Sequence, residues 1–245
     1  MNDTSNSASD PAGLHTLQVI SKATSFNSWM FDQFRSFLKG EVLEIGSGIG
    51  NISQLAMDEG FSITLSDYNT EYTCLLNEKF KHADNVKDIL SIDLLHPGFE
   101  NYYRSLEKKF DSILLLNVIE HLQNDSAAIQ NCLYLLKPGG HLIVLAPAYQ
   151  WLYCNFDKEL GHHRRYTLKS MLLKFKTNDI QVVRKIYFNF LGIAGWLVFG
   201  KIFGKKILGS NEMSAFNKLV SLAKVMDKLI FNKAGLSVIV IGVKK

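Results

Sequence analysis

The sequence predicts an α/β fold built around a doubly wound, mostly parallel sheet of seven strands. Short runs that are apolar along their whole length alternate with amphipathic stretches, which is typical of parallel strands covered on both faces. Three glycines stand at every second position after the first of these runs, in EVLEIGSGIGNIS over 41–53. The final run, GLSVIVIGVKK over 235–245, follows a long connection, which favours an antiparallel last strand at or near a sheet edge.

Each element follows from its local pattern. Apolar positions at helical spacing predict a helix over 17–38, which Gly40 ends. The segment LKPGGH over 136–141 is typical of a turn. The predicted strands are 41–45, 61–66, 86–92, 110–117, 140–147, 180–188 and the final run. The other predicted helices are 51–59, 70–82, 99–108, 125–136, 167–177 and 213–231.

Length and composition predict one large domain. The chain has 245 residues, of which 47% are apolar and 20% are charged, as in ordinary globular proteins. We expect a disordered polar tail over 1–16 and a single domain over 17–245. The tail lacks the pattern of a signal peptide, and three widely spaced cysteines give no disulfide framework. These features favour a cytoplasmic protein.

Charge and hydropathy set the last third of the chain apart. Residues 168–245 carry a net charge of +11, whereas residues 1–167 carry −7. Between Lys185 and Lys201 lie 15 uncharged residues, fewer than the roughly 20 that a membrane-spanning helix needs. We therefore expect an apolar and basic helical insertion over about 189–233.

That insertion fits three partners. It suits a peripheral contact with the inner face of a membrane, a lid over a small hydrophobic molecule, or a homodimer contact with a second copy of the chain. Nucleic acid is not an expected partner, because the basic residues lie among long apolar runs and no RNA-binding motif is present.

The glycine turn indicates a ligand that carries adenosine. A strand, a glycine turn and a helix together direct backbone N–H groups at a ligand. Glu44 precedes the turn, and Asp67 follows the second strand, where a carboxylate accepts hydrogen bonds from ribose hydroxyls. Asn51 stands where the dinucleotide fingerprint has its third glycine, which argues against NAD without excluding it.

From about Phe26 onward, the chain resembles the class I S-adenosylmethionine-dependent methyltransferases. The resemblance rests on VLEIGSGIGN, Asp67, SIDLL, FDSILLLNVIEHL and LKPGGHLIVLAP in this order. It implies a Rossmann-like methyltransferase fold, with S-adenosylmethionine as cofactor and S-adenosylhomocysteine as product. The expected acceptor is an oxygen or nitrogen of a small hydrophobic or lipid-linked molecule. An NAD-dependent oxidoreductase and a catalytically silent cofactor-binding subunit are the alternatives.

The same resemblance implies roles for individual residues. Glu44 would hold the amino group of the cofactor, Asp67 its ribose and Asp93 its adenine amino group. Phe26 and Trp29 would cover the cofactor, although core packing explains Trp29 equally well. Further cofactor candidates, the last two of them near the sulfonium, are Gly46, Ser47, Gly48, Gly50, Asn51, Tyr68, Leu94, Asn117 and Val118.

Methyl transfer to a protonated acceptor requires a base, and histidine is the side chain best suited near neutral pH. His162 and His163, in GHHRRY, are the preferred candidates, and His121 either acts as the base or stacks under the cofactor. The candidate substrate-binding residues, in or beside segment 150–166, are Tyr149, Trp151, Arg164, Arg165 and Tyr166. The two arginines suit an acidic substrate group or a structural ion pair. We expect no metal, since no cluster of carboxylates is evident.

Overall fold

The computed structural model describes residues 10–178 and 180–245 of the chain. Its sheet has seven strands in the order β3-β2-β1-β4-β5-β7-β6, with β7 antiparallel to both neighbours. The strands are β1 Val42–Ile45, β2 Ile63–Ser66, β3 Val86–Leu90, β4 Phe110–Leu116, β5 Leu136–Pro147, β6 Ile180–Phe188 and β7 Ser237–Lys244. The predicted fold class is therefore confirmed, with β7 one position inside the edge.

Helices cover both faces of the sheet. The α-helices are α1 Pro11–Ser21, α2 Thr24–Asp32, α3 Asn51–Asp58, α4 Thr70–Phe80, α5 Phe99–Tyr102, α6 Asp125–Leu135, α7 Asn155–Glu159, α8 Leu168–Thr177, α9 Phe190–Trp196, α10 Ser210–Lys218 and α11 Val220–Leu229. Alternate residues of β4 face opposite cores: Ile113 belongs to the same buried cluster as Phe175 of α8, and Leu114 to the same cluster as Ala223 of α11. This two-sided burial explains why the strands are apolar throughout.

The N-terminal prediction is wrong in two respects. Helix α1 begins at Pro11, so residues 11–16 are helical rather than a disordered tail, whereas residues 1–9 lie outside the described residues. The Asp10 side chain accepts a hydrogen bond of 2.8 Å from the Gly13 N–H and caps this helix. The predicted helix over 17–38 is two helices, α1 and α2, followed by a 3₁₀ turn over Arg35–Phe37.

The predicted turn over 136–141 is instead the first part of β5. Leu136 pairs with Phe110 of β4, and His141 pairs with Ser112, so several extra residues bulge between the two pairs. Gly139, with φ +74°, lies in this bulge. A glycine-containing bulge kinks a strand without ending it. For this reason the glycines of the segment indicate a turn in the sequence although the strand continues through them.

The segment after β6 is helical almost throughout. It comprises α9, a π-helix over Leu197–Ile202, α10 and α11. Asp227 of α11 accepts hydrogen bonds of 2.8 Å from the N–H groups of Asn189 and Phe190, which fixes the segment to the end of β6. Among the described helices, none is long and apolar enough to cross a membrane.

Candidate functional site

The glycine turn joins β1 to α3. Each of its three glycines lies close to a different neighbouring side chain. Gly46, Gly48 and Gly50 all have positive φ, between 54° and 75°. A Cβ on Gly46 would lie 2.3 Å from Val118 Cγ2, so only glycine allows β4 to approach this closely. The turn therefore places backbone N–H groups at the carboxyl end of the sheet, where ligands bind in open α/β folds.

Glu44 is a buried carboxyl beneath this turn. Its side chain accepts a hydrogen bond from Ser53 of α3, and its backbone carbonyl accepts one of 3.2 Å from Ser47. Desolvation raises the pKa of Glu44 to about 7, against the hydrogen bonds from Ser53 and Ser47 and the charge of Lys79. Such a buried acid favours a cationic partner.

Asp67, at the end of β2, lies beside the turn. One carboxylate oxygen accepts a 2.9 Å hydrogen bond from the Gly48 N–H, and the other accepts one of 2.9 Å from Asn69. Burial raises the pKa of Asp67, and the carboxylate of Asp10 adds to this effect. Tyr68 is 58% exposed beside it and presents an open aromatic face.

Farther along the same edge, Asp93 and Leu94 follow β3. The Asp93 carboxylate accepts a 2.8 Å hydrogen bond from the Leu95 N–H, and Leu94 is buried in the core. One carboxylate oxygen of Asp93 thus stabilises the loop that contains it, and the second oxygen remains available to a ligand.

Helix α1 lies over the glycine turn, which the sequence analysis missed. A Cβ on Gly48 would lie 2.8 Å from Leu17 Cδ1, and the Asn51 side chain donates a 3.2 Å hydrogen bond to the Leu17 carbonyl. At the start of α1, Asp10 accepts a 3.0 Å hydrogen bond from the Tyr72 hydroxyl. The Asp-Pro pair, a typical helix start, was the available signal.

The end of β4 forms the opposite wall. Asn117 has φ +53° and is exposed, and Val118 faces Gly46. A 3₁₀ turn over Ile119–His121 follows, in which the His121 N–H donates a 3.0 Å hydrogen bond to the Val118 carbonyl. A strained residue such as Asn117 is characteristic of functional sites.

Two histidines and two carboxyl groups meet beside this turn. His162 Nδ1 lies 2.9 Å from Asp157 Oδ1, and His162 Nε2 lies 4.0 Å from Glu120 Oε1. The His121 ring packs edge-on against the His162 ring, with centroids 4.7 Å apart. Burial raises the pKa of Glu120 to about 7, whereas desolvation and His162 lower the pKa of His121 to about 4.

His163 differs from its two neighbours. Its backbone N–H donates a 2.8 Å hydrogen bond to the Glu120 carbonyl, which anchors it beside the end of β4. The residue is exposed, and its ring makes no hydrogen bond or ion pair within the described part of the chain. Of the three histidine candidates, His121 and His163 are exposed, and His163 is the one that lies outside the cluster with Glu120.

The arginines expected to bind substrate have structural partners. Arg165 is 6% exposed, forms a two-point ion pair with Asp157 at 2.7 and 3.0 Å, and donates to the Ala148 carbonyl. Arg164 pairs with Asp125 at 3.2 Å. The neighbouring Tyr166 is buried, with its hydroxyl 3.0 Å from Asp125. These three residues therefore have structural partners, and their expected role in substrate binding stays a prediction.

Phe26 and Trp29 pack against aromatic rings of the core, which is the alternative given for Trp29, and their expected role as a cofactor cover stays a prediction. Trp29 is 4% exposed, and its ring centroid lies 4.4 Å from that of Phe188. Phe26 contacts Phe188 and Phe216, at 6.0 and 5.9 Å. Both rings join α2 to β6 and α10 in the core, and α1 rather than these rings covers the glycine turn.

The remaining substrate candidates form an aromatic stack. Tyr149 lies between Tyr187, at 5.0 Å between centroids, and Trp151, at 5.8 Å. Tyr149 has φ +61°, and Trp151 is 55% exposed. The stack therefore presents an open ring beyond the end of β5, suited to a flat or apolar ligand.

A family model described as a methyltransferase domain matches residues 18–185, more than half of the chain. The ubiquinone biosynthesis O-methyltransferase of Xylella fastidiosa (strain 9a5c) is 27% identical over 103 residues, which are 42% of this chain and 40% of the relative. That of Actinobacillus pleuropneumoniae serotype 5b is 33% identical over 106 residues, 42% and 43% of the two chains. The chain thus matches about two fifths of the length of these curated relatives.

Solved structures share the fold. A SAM-dependent methyltransferase from Archaeoglobus fulgidus aligns with a TM-score of 0.60 and 16% identity over 90% of this chain and 94% of that one. Phosphoethanolamine N-methyltransferase 2 of Haemonchus contortus, in complex with S-adenosyl-L-methionine, aligns with a TM-score of 0.62 and 17% identity over 96% and 58%. At such low identity, these likenesses extend to the fold alone.

Proposed function

Because the chain belongs to the family of methyltransferase domains, we propose that it acts as an S-adenosylmethionine-dependent methyltransferase whose acceptor is an oxygen of a hydrophobic or lipid-linked molecule at a membrane surface. In this reaction the acceptor oxygen forms a bond to the methyl carbon while the bond from sulfur to that carbon breaks. S-adenosylhomocysteine leaves, and a base takes the acceptor's proton.

The cofactor residues follow from the chemistry of the turn. The buried carboxylate of Glu44 is the proposed partner of the cofactor's ammonium group. The carboxylate of Asp67 is the proposed partner of the cofactor's ribose hydroxyls. Asp93 and Tyr68 are the proposed adenine contacts. Val118, which faces the turn, and its neighbour Asn117 are proposed to border the sulfonium.

His163 is the proposed base. His163 is an exposed residue held beside the end of β4 by the backbone hydrogen bond to Glu120, whereas the His162 side chain is 8% exposed and its Nε2 faces a buried carboxyl. The exposed Trp151 ring, stacked on Tyr149, is the proposed contact for the body of the acceptor.

The observation that carries the acceptor class is the exposed apolar surface of the helical insertion. Its large apolar side chains are accessible to solvent, including Phe231 at 79%, Ile202 at 73%, Leu229 at 71% and Phe203 at 66%. Lysines accompany them throughout, at 201, 205, 206, 218, 224, 228 and 233. An apolar surface with cationic neighbours fits an anionic bilayer, where each lysine adds about 1 kcal/mol of attraction.

The names of the curated relatives favour oxygen over nitrogen as the accepting atom. These relatives are O-methyltransferases of ubiquinone biosynthesis, matched at 27–33% identity over two fifths of their length. The N-methyltransferase of known structure shares the fold at 17% identity and gives nitrogen no comparable support. The roles proposed above for residues of this chain are the same whether the accepting atom is oxygen or nitrogen.

The experiment is methyl transfer from tritiated S-adenosylmethionine to a lipid extract presented in anionic vesicles. We expect tritium in the organic phase, with His163→Asn binding the cofactor normally but turning over about 100-fold more slowly. Label confined to the aqueous fraction would contradict the acceptor class, and undiminished turnover in His163→Asn would contradict the proposed base.

Sedimentation with the same vesicles tests the surface independently. The double variant Leu229→Ser and Phe231→Ser should remain in the supernatant, whereas wild type sediments with anionic vesicles. Tyr102→Ser is the matched control, because Tyr102 is 67% exposed but is the last residue of α5, outside the insertion. Equal sedimentation of the double variant and wild type would contradict membrane contact by this surface.

Glu44 predicts how cofactor binding depends on pH. Its pKa of about 7 means that Glu44 becomes largely ionised only above neutrality, with Asp67 raising the pKa and Lys79 lowering it. Since the ionised form attracts the cofactor's ammonium group, affinity should rise by about tenfold from pH 6 to pH 8. Titration calorimetry should show this rise in wild type, with release of a proton on binding.

The control for this prediction is Glu44→Gln, which keeps the shape and the hydrogen bond with Ser53 but removes the charge. Its affinity should be lower and flat across the same range. Parallel pH profiles in both proteins would show that another group, such as Asp67, governs the dependence of affinity on pH.

In the cofactor-free protein the contribution of Glu44 to the free energy of unfolding depends on pH with the opposite slope. A folded pKa above the ordinary 4.5 lowers that contribution as pH rises through about 7.

A further inference from the structure

We propose that Glu120, His121 and His162 form a binding site for a divalent transition-metal ion. The first observation is the carboxyl group of Glu120, which is 0% exposed. Neither of its oxygens has a hydrogen-bond partner among the described residues. A buried carboxyl without donors is costly, and a bound cation would offset that cost.

The second observation is the arrangement of nitrogen donors around this carboxyl. His162 Nε2 faces Glu120 Oε1 at 4.0 Å, and one ligand atom from each of the three residues lies within 4.8 Å of the others. His121 completes the group from the exposed side, so the ion has a route to solvent. The proposed ion therefore has three protein ligands and at least one open position.

The orientation of His162 strengthens the assignment. Its Nδ1 lies 2.9 Å from Asp157 Oδ1, which leaves Nε2 as the nitrogen directed at Glu120. A histidine that donates one ring N–H to a carboxylate and uses the other nitrogen as a ligand is the usual arrangement in metal sites. Asp157 is itself held by Arg165, so the imidazole is positioned by a rigid, buried partner.

The distances and donor types indicate which ions fit. Zinc bonds to nitrogen and oxygen of about 2.1 Å in a tetrahedral site imply ligand atoms roughly 3.4 Å apart. The 4.0 Å separation of His162 and Glu120 therefore requires a contraction smaller than 1 Å. Two imidazoles with one carboxylate suit Zn²⁺, Fe²⁺ or Co²⁺, whereas Mg²⁺ and Ca²⁺ prefer oxygen ligands throughout.

The proposed ion would lie close to the methyl-transfer site, since His121 follows Val118 by three residues. The inference rests on the ligands alone and is independent of the acceptor's identity. It also replaces the expectation from the sequence that no metal is bound. That expectation considered only clusters of carboxylates, whereas the ligands proposed here are one carboxylate and two imidazoles.

The test is Zn²⁺ binding by chelator-treated full-length protein, followed by dialysis and metal analysis, with Co²⁺ absorption as the spectroscopic probe. We expect one Zn²⁺ per chain and visible Co²⁺ bands without thiolate-to-cobalt charge transfer. Glu120→Gln and His162→Asn should each weaken Zn²⁺ binding by more than about tenfold. His82→Asn, which removes an exposed histidine after α4, should bind as wild type.

Cofactor affinity and circular dichroism check that each variant is folded. Absence of Zn²⁺ from wild type would overturn the proposal and leave a protonated, neutral Glu120. Equal Zn²⁺ binding by wild type, Glu120→Gln and His162→Asn would also overturn it, by placing the ion elsewhere. If Glu120→Gln does not fold, the wild-type stoichiometry, the Co²⁺ spectrum and His162→Asn decide the question.

Discussion

The variant Gly46→Ala should lose S-adenosylmethionine affinity by about 100-fold or more. An added Cβ would lie 2.3 Å from Val118 Cγ2, so the end of β4 must move away from the turn. Displacements of about 1 Å at such a site carry penalties of this order. The φ of +75° adds a strain of about 1–2 kcal/mol to the folded state. Calorimetric titration together with urea unfolding measures both effects.

The matched control is Gly60→Ala. Gly60 has φ +83°, so its alanine variant carries a similar backbone strain, but no atom lies within 4 Å of the added Cβ. We expect the backbone strain alone to lower its stability by about 1–2 kcal/mol, with unchanged cofactor affinity. If Gly46→Ala bound the cofactor as tightly as Gly60→Ala, the glycine turn would not be the cofactor site.

The variant Arg165→Ala should lower the free energy of unfolding by about 3–5 kcal/mol. Its guanidinium is buried, forms two hydrogen bonds with Asp157 and lies 4.5 Å from the centre of the Trp196 ring. Removal leaves the Asp157 carboxylate buried, with His162 as its one remaining ionic side-chain partner among the described residues. Those ion pairs also hold the pKa of Asp157 below its ordinary value, against burial. Urea unfolding of the cofactor-free protein measures the loss.

Arg164→Ala is the control for this prediction. The Arg164 side chain is 35% exposed, and its partner Asp125 keeps a 2.7 Å ion pair with Lys174. Loss of such a partly exposed pair should cost about 1 kcal/mol or less. Equal stability of the two variants would show that Arg165 is not structural. A normal stability with a raised KM for acceptor would restore its expected role in substrate binding.

Local patterns explain why the strands and the glycine turn could be predicted from the sequence. β1 is four apolar or buried residues followed directly by glycines, and Asp67 stands at the end of β2. Each of these signals lies within a few residues, and parallel strands bring their carboxyl ends to one edge without further information. The same reasoning predicts that the Glu44 and Asp67 carboxyls lie beside one turn.

The less local features could not be predicted in this way. Trp29 packs on Phe188, which is 159 residues later in the chain, so no periodicity distinguishes core packing from a cofactor cover. Leu17 reaches Gly48, 31 residues later in the chain, because α1 lies over the glycine turn. His162 and His163, adjacent in sequence, have different surroundings, since one ring is fixed by Asp157 and the other faces solvent.

The position of β7 has a consequence for how the protein folds during synthesis. Strand β6 pairs with β7 within the described sheet, and β7 also closes the free edge of β5. Until residues 237–244 leave the ribosome, both the β5 edge and the whole of β6 stay unpaired in the nascent chain. Pairs such as His141 with Val243 are about 100 residues apart, so the sheet closes slowly and late. Open edges of this kind invite aggregation, and chaperones that shield exposed strands would assist this chain most during that interval.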